Sequence, residues 1–328
     1  MAASNQDVLR AQLLDRKQKL GSAIANVGRT DEFERLMQEV DLALDRMQKG
    51  IYGICESCHE HVGDEWLMTN PLARYCIEHL NPEQQRELQA DLEMASHIQR
   101  RLLPKAELRL DGWELHYHYA PAGLVSGDYC DVIPTENGGG DNMFLLGDVS
   151  GHGVAASMLM TQLHATFRGL VNLGLPVNKL VEMANRVFCE SVPAGQYATL
   201  VCGRASRSGD VEIANAGHLP VLAVRNGKVT RLGATGVPLG MFCTGNFPAQ
   251  KVQLGAGDFL VLYTDGFSEA RNTRDTEYGI GRLTNLVGQQ HGLLPEALVR
   301  ACLDDVKMFS GGAPRTDDLT MMVLRRTN

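Results

Sequence analysis

The sequence predicts an α+β layered sandwich preceded by a smaller, helical and cysteine-bearing module. Short apolar runs alternate with glycine-rich turns from about Gly112 onward: Trp113–Tyr119, Met143–Leu146, Ala198–Val201, Val211–Ala214, Val221–Val224, Phe259–Tyr263 and Met321–Leu324. Helical stretches fall in separate blocks, at about 154–172, 177–190 and 294–309, which favours a layered α+β arrangement over a parallel βαβ fold. The length, 328 residues, is enough for one large domain and one small one.

Before the sandwich, residues 5–50 read as a helical hairpin. Phe33, Met37, Val40, Leu44 and Met47 recur in steps of four and three and so share one helix face. Leu9, Leu13, Leu20 and Ile24 give the first helix a weaker stripe. Val27-Gly28-Arg29-Thr30 turns the chain, with Thr30 as N-cap and Glu32 and Glu34 in the first turn.

Next comes Cys55-Glu-Ser-Cys58 and, after seventeen residues, Cys76-Ile-Glu-His79. Two C-x2-C-like knuckles with soft or borderline donors suit tetrahedral Zn²⁺, and a closed set of four makes that zinc structural. His59 and His61 are rivals to His79, but neither preserves the knuckle. The other cysteines (Cys130, Cys189, Cys202, Cys243 and Cys302) have no partner spacing and read as core or surface residues.

From Pro82 to Pro104, Leu88, Leu92, Ala95, Ile98 and Leu102 follow one another at helical spacing. This linker helix offers a stripe to its own domain or to a second copy, and a homodimer is expected through it. The expected division is therefore 1–81 for the hairpin and finger, 82–104 for the linker helix, and 105–328 for the sandwich.

Bulk properties remove several functions. The net charge is −8, so no global basic field recruits nucleic acid. Residues 1–10 are polar, and no apolar run approaches the ~18 residues of a membrane span, so a cytoplasmic protein is expected with no membrane partner. There is no G-x-x-x-x-G-K-[ST] loop, no G-x-S-x-G elbow, and no cysteine with an arginine six residues on.

Four aspartate motifs carry the chemistry. They are Ser126-Gly127-Asp128, Gly147-Asp148-Val149-Ser150-Gly151-His152-Gly153, Thr264-Asp265-Gly266, and Asp317-Asp318-Leu319-Thr320. Carboxylates at the ends of apolar strands, beside glycine, direct hard oxygen donors into one space and suit Mg²⁺ or Mn²⁺. A two-metal hydrolytic site follows, in which the ions lower the pKa of a shared water and neutralise the transferring group. Each aspartate taken alone also reads as an ordinary turn residue. Asp318 can take the place of Asp317 as ligand, although Asp317 is favoured. Asp131 is expected to support Asp128 from behind, and His152 and His218 to organise turns or a helix cap.

Two family resemblances rest on these residues. Gly50-Ile-Tyr-Gly-Ile-Cys55-Glu-Ser-Cys58 with Pro71-Leu-Ala-Arg-Tyr-Cys76 resembles the zinc finger of the DksA/TraR family, itself preceded by a helical hairpin. His79 replaces the usual fourth cysteine, and the hairpin tip lacks the paired aspartates of DksA, so the scaffold carries over and the transcriptional activity does not. From about Glu93 to the C-terminus the chain resembles the PPM superfamily, specifically the SpoIIE/RsbU-type serine phosphatases. The carriers are Ile98-Gln-Arg-Arg-Leu-Leu-Pro104, SGD-x-x-D, GDVSGHG, Asn215-Ala-Gly-His-Leu-Pro220, Gly236-Val-Pro-Leu-Gly240, TDG and DDLT.

The second resemblance implies two central antiparallel sheets flanked by helices, the αββα sandwich, and hydrolysis of phosphoserine or phosphothreonine on a protein. It also implies Asp148 as the bridge between two Mn²⁺ or Mg²⁺ ions, the Val149 carbonyl, Asp265 and Asp317 as further ligands, and Asp128 binding directly or through water. A phosphorylated anti-sigma-factor antagonist, within a partner-switching pathway, is the implied substrate, with the zinc module as regulator. The competing reading is a transcription-associated DksA-like binding protein with a non-catalytic PPM scaffold. A dead scaffold would be expected to have lost at least one metal aspartate, and this chain keeps them all.

Overall fold

A computed structural model describes residues 5–28, 30–80, 82–105, 107–135, 141–193 and 195–327. Residues 1–4 of the polar N-terminus and Arg29 of the hairpin turn lie outside the described residues. The chain divides into two compact units, Met1–Asp91 and Leu92–Asn328.

In the first unit α1 (Asn5–Val27) packs along α2 (Asp31–Gln48). Thr30 caps α2, its hydroxyl accepting from the Phe33 N–H at 3.3 Å. Leu9 and Leu13 of α1 meet Val40 and Ala43 of α2, and the same cluster takes in Tyr52, Cys55, Val62 and Leu67 of the finger. A short α3 (Asp64–Thr69) follows the first knuckle, and a single 3-10 turn (Ile77–His79) ends the second.

Helix α4 (Pro82–Leu102) leads into the second unit. Of its expected stripe, Leu88, Leu92, Ala95 and Leu102 are half-buried and Ile98 faces out, while the fully buried place on the same face goes to a polar residue. Ile98 is 53% exposed and Met94 61%, whereas the polar Gln99 is 4% exposed. Gln99 is inside because its amide grips a turn: Nε2 donates to the Ser126 carbonyl (2.7 Å) and Oε1 accepts from the Ser126 N–H (3.0 Å). A two-point hydrogen bond compensates a buried polar group.

The rest is two antiparallel sheets between two helical layers. One sheet has six strands in the order β1 (Glu107–Leu110), β2 (Trp113–Ala120), β11 (Leu319–Arg326), β10 (Phe259–Tyr263), β7 (Val221–Arg225), β8 (Lys228–Leu232). The other orders β3 (Asp128–Pro134), β4 (Asn142–Val149), β5 (Ala198–Ala205), β6 (Asp210–Ala216), β9 (Gln250–Gln253). Helices α5 (Gly153–Leu170) and α6 (Val177–Ser191) cover the five-stranded sheet; α8 (Ile280–Gln289) and α9 (Pro295–Ser310) cover the six-stranded one. One-turn α7 (Asp265–Ser268) follows β10.

Strand parity sorts the side chains into three apolar layers. In β4, Met143 and Leu145 face the helices, while Phe144 and Leu146 face the other sheet. In β10, Leu260 and Leu262 meet them from across the gap, while Phe259, Val261 and Tyr263 face α8 and α9. Asp128 continues the inward row of Cys130 and Val132, Asp148 that of Leu146, and Thr320 that of Met322 and Leu324. The inter-sheet layer is thus apolar through most of its length and polar at one end.

One disulfide corrects the cysteine expectation. Cys189 of α6 is bonded to Cys243 in the segment after β8, with Cα atoms 5.5 Å apart. Their separation of 54 residues gives no local pattern, and tertiary packing alone joins them. Asn185 holds the same segment, accepting from the Gly240 N–H (2.9 Å) and donating to the Phe242 carbonyl (2.8 Å).

Gly203 lies opposite Phe144 in the β4–β5 ladder. A Cβ there would lie 2.0–2.6 Å from three ring atoms of the fully buried Phe144. Gly203→Ala is therefore expected to destabilise the fold by about 1–3 kcal/mol, as overpacking does. Urea unfolding checks this, and an unchanged midpoint would show that the ring moves freely.

Candidate metal centre and zinc site

The polar end of the inter-sheet layer opens into a cleft lined by Asp148, the Val149–Gly151 turn, Thr199, His218, Asp265, Glu269 and Asp317. Three of the four aspartate motifs therefore meet there. Asp148 is the penultimate residue of β4, Asp265 opens α7, and Asp317 precedes β11.

Two glycines allow the approach. A Cβ on Gly127 would sit 3.0 Å from the Val149 carbonyl oxygen and 3.7 Å from Asp148 Oδ1, in the space onto which both oxygens face. A Cβ on Gly266 would lie 2.0 Å from the Asp318 carbonyl oxygen, so only glycine lets the Asp265 turn pass against the Asp317-Asp318 segment.

Asp128 stands behind this cleft. It is paired directly with Asp148 in the β3–β4 ladder, is 1% exposed, and is not among the cleft-lining residues. Its Oδ2 accepts from Thr264 Oγ1 at 3.0 Å and from Thr320 Oγ1. These threonines belong to the TDG and DDLT motifs, and sequence reasoning gave them no role. They tie the two sheets together through one carboxylate.

The choice between Asp317 and Asp318 has a structural basis. Both oxygens of Asp318 are taken: Oδ1 by the Ala122 N–H (2.7 Å), Oδ2 by Ser126 Oγ (2.6 Å) and the Gly127 N–H (2.9 Å). Asp318 thus shapes the Ser-Gly-Asp turn. Asp317 has one oxygen on the Asp318 N–H (2.8 Å) and lines the cleft.

Asp131 lies elsewhere than expected. Three residues from Asp128 on one strand, it points to the opposite face, where Arg168 of α5 grips it with two N–H groups at 2.6 and 2.8 Å. It does not support Asp128. His152 occupies the N-cap position of α5 without a side-chain cap bond. His218 is buried and pushed down to about 4 by that burial. Neutral, it donates Nε2–H to the Tyr263 carbonyl (3.1 Å) and accepts at Nδ1 from Thr199 Oγ1 (2.7 Å).

The electrostatics of the cleft are one-sided. Burial, then the charges of Asp265, Asp317, Asp318 and Glu269, push the Asp148 carboxyl up to about 8. Burial, then Asp317 and Glu269, push Asp265 up to about 6. Burial, then Asp148, hold Asp128 well above the usual carboxylate range despite its threonine bonds. Among the described residues no Lys or Arg forms an ion pair with Asp148, Asp265 or Asp317. Hard, crowded, uncompensated oxygens are the donor set that divalent cations fit. Glu269, absent from the sequence reading, sits four residues after Asp265, the spacing of one helix face.

In the first unit, Cys55, Cys58, Cys76 and His79 bring ligand atoms within 4.8 Å of one another. Among the described residues this is the only set of three or more His, Cys, Asp or Glu so drawn together; the cleft carboxylates stand farther apart. Cys58 Sγ and Cys76 Sγ are 3.9 Å apart, close to the ~3.8 Å edge of a tetrahedron with 2.3 Å Zn–S bonds. Cys76 Sγ lies 3.0 Å from His79 Nδ1, and His59 and His61 are outside the set. Burial disfavours the Cys55 thiolate, but the N–H groups of Cys58, Cys76 and Ser57 outweigh it and bring the thiol down to about 6. Arg46 of α2 fastens the knuckle by donating to Glu56 Oε1 (2.7 Å) and the Ile54 carbonyl (2.5 Å), and Arg74 holds Glu56 from the other side. The sequence offered no signal for that clamp.

Both parts of the chain match known families. The family described as prokaryotic dksA/traR C4-type zinc finger matches residues 50–78, stopping one residue before His79. Protein IcfG of Synechocystis is 26% identical over 72% of this chain and 41% of its own length, so the present chain spans about two fifths of that relative. Phosphoserine phosphatase RsbU of Bacillus subtilis is 24% identical over 74% of this chain and 72% of its own length. The RsbU and RsbW domains of a Mycobacterium tuberculosis protein superpose with a TM-score of 0.58 at 28% identity, over 68% of this chain and 62% of that one. The family described as Stage II sporulation protein E matches residues 138–327, more than half of the chain. The chain belongs to the SpoIIE family and carries its PPM-type phosphatase domain.

Proposed function

We propose that this chain is a metal-dependent protein phosphatase that hydrolyses phosphoserine or phosphothreonine on a protein, under control of its zinc module. The observation that carries the reading is the convergence of Asp148, Asp265 and Asp317 on one cleft whose lining, among the described residues, holds no Lys or Arg. In this reading Asp148, the Val149 carbonyl, Asp265 and Asp317 hold two Mn²⁺ or Mg²⁺ ions, with Asp128 fixing the strand pair behind them. When bound, such a pair supplies a nucleophilic water at neutral pH and offsets charge on the phosphoryl group. The side chains do the rest. Asp128 and its two threonines tie β3 to the ends of β10 and β11, and Asp318 fixes the Gly127 turn by accepting its N–H.

The substrate, in line with the family resemblance, is a phosphorylated anti-sigma-factor antagonist in a partner-switching pathway. Zinc at Cys55, Cys58, Cys76 and His79 is structural, and a homodimer forms through α4. Met94 and Ile98, four residues apart on one face of that helix, are exposed and available to a second copy. No helix among the described residues is long and apolar enough to cross a membrane.

Asp148→Asn is expected to cut Mn²⁺-dependent turnover of a phosphoserine peptide on the order of 10²-fold or more. The same change is expected to raise the melting point of metal-free protein, because it removes a carboxyl buried among like charges. Equal turnover in the two proteins would remove the metal assignment.

The pH dependence has a definite sign. Asp148 and Asp265 hold protons in the folded, metal-free state that the unfolded chain releases above the ordinary carboxylate range. Metal-free stability therefore falls as pH rises from about 4 through about 8. Added Mn²⁺ should raise the melting point more at pH 8 than at pH 6, since at the lower pH it must displace protons. Thermal melts at both values decide it, and equal shifts would count against the cleft as the binding site.

Cys58→Ser in the full chain is expected to lose its zinc and to alter either turnover or oligomeric state. Retention of both, with zinc gone by elemental analysis, would end the regulatory reading.

A further inference from the structure

Asp317 and Glu269 line the catalytic cleft and also a second recess beside it, of about 450 Å³. That size lies within the ~300–1,000 Å³ typical of ligand clefts. The recess lies between the turn after α7, the C-terminal half of α9, and the Gly312–Thr316 segment leading to β11. Leu303, Val306, Ala313 and Leu319 make its floor apolar.

Its rim carries Arg271, Lys307 and Arg315. Arg271 is already paired, with Asp275 at 3.1 Å and Glu277 at 2.5 Å. Arg315 gives an N–H to the Pro121 carbonyl but meets no carboxylate among the described residues. Lys307 is exposed and has no acidic partner among them. In a chain of net charge −8, two cations without an ion-pair partner among the described residues therefore stand over an apolar floor, on a lining that also carries Glu269 and Asp317.

The occupant follows from this pairing. A free anion would use the cations and leave the floor unused. A nucleic acid would need aromatic faces for its bases, and His118 is the only aromatic ring on the lining. A polypeptide with one aliphatic and one acidic side chain uses both. We propose that this recess docks the segment of the substrate protein flanking the phosphoserine, with an aliphatic side chain on the Leu303–Val306 floor and an acidic one against Lys307 and Arg315. The inference rests on the phosphatase reading for what lies in the neighbouring cleft, whereas docking itself requires no turnover.

Full-length protein with Mn²⁺ is assayed on two phosphoserine peptides, flanked on both sides by Leu-Asp or by Leu-Asn. Partly exposed ion pairs are individually weak, so the expected preference in kcat/KM for the acidic peptide is roughly 3- to 10-fold. In Lys307→Glu that preference is expected to vanish or reverse. In parallel, fluorescence anisotropy of a labelled, non-phosphorylated Leu-Asp peptide should show tighter binding to wild type than to Lys307→Glu. Equal kcat/KM for the two peptides in wild type, or a preference undiminished in Lys307→Glu, would overturn the docking proposal. Turnover of neither peptide, with the anisotropy difference intact, would instead remove the phosphatase reading and leave docking standing.

Discussion

Everything at the polar end of the sandwich depends on the register that sets Asp128 beside Asp148 on adjacent strands. Both carboxylates continue rows whose other members, Cys130, Val132, Phe144 and Leu146, form the apolar layer between the sheets. Two neighbouring carboxyls at the edge of a low-dielectric layer, of which Asp148 also feels Asp265 and Asp317, repel one another and resist ionisation. The fold accepts this through compensations nearby: two threonines on Asp128, three donors on Asp318, and glycine at 127 and 266 where a Cβ would close the gap. In the proposed reading, a divalent cation would relieve the remaining repulsion.

The same register explains which parts of the site were legible in the sequence. Asp148, Asp265 and Asp317 stand out because each adjoins a long apolar run, and such runs mark strands. Gly127 and Gly266 stand out because they flank Asp128 and Asp265. Asp131 was misread because proximity in sequence was weighed and parity was not; three residues along a strand reverse the face. Strand β3 itself was hidden by its polar residues, two of them the aspartates it delivers. Glu269 required seeing that a helical turn begins at Asp265.

Other features were illegible for a different reason. Gln99 is polar and takes a buried place among Leu92, Ala95 and Leu102, and its two bonds to Ser126 explain its burial. The Cys189–Cys243 bond and the Arg46–Glu56–Arg74 clamp join residues far apart in sequence. Local pattern cannot encode either. The cluster of Cys55, Cys58, Cys76 and His79 lies at the other extreme, since its four donors fall in two closely spaced pairs.

The central claim is that the carboxylate cleft is a binding place for divalent cations rather than a set of turn residues. Diffraction from crystals of the full chain grown with Mn²⁺, recorded at the manganese absorption edge, tests it most directly. The account predicts anomalous peaks in contact with Asp148, the Val149 carbonyl, Asp265 and Asp317, and none at Cys55, Cys58, Cys76 and His79. An occupied manganese site elsewhere, with no peak in the cleft, would contradict it.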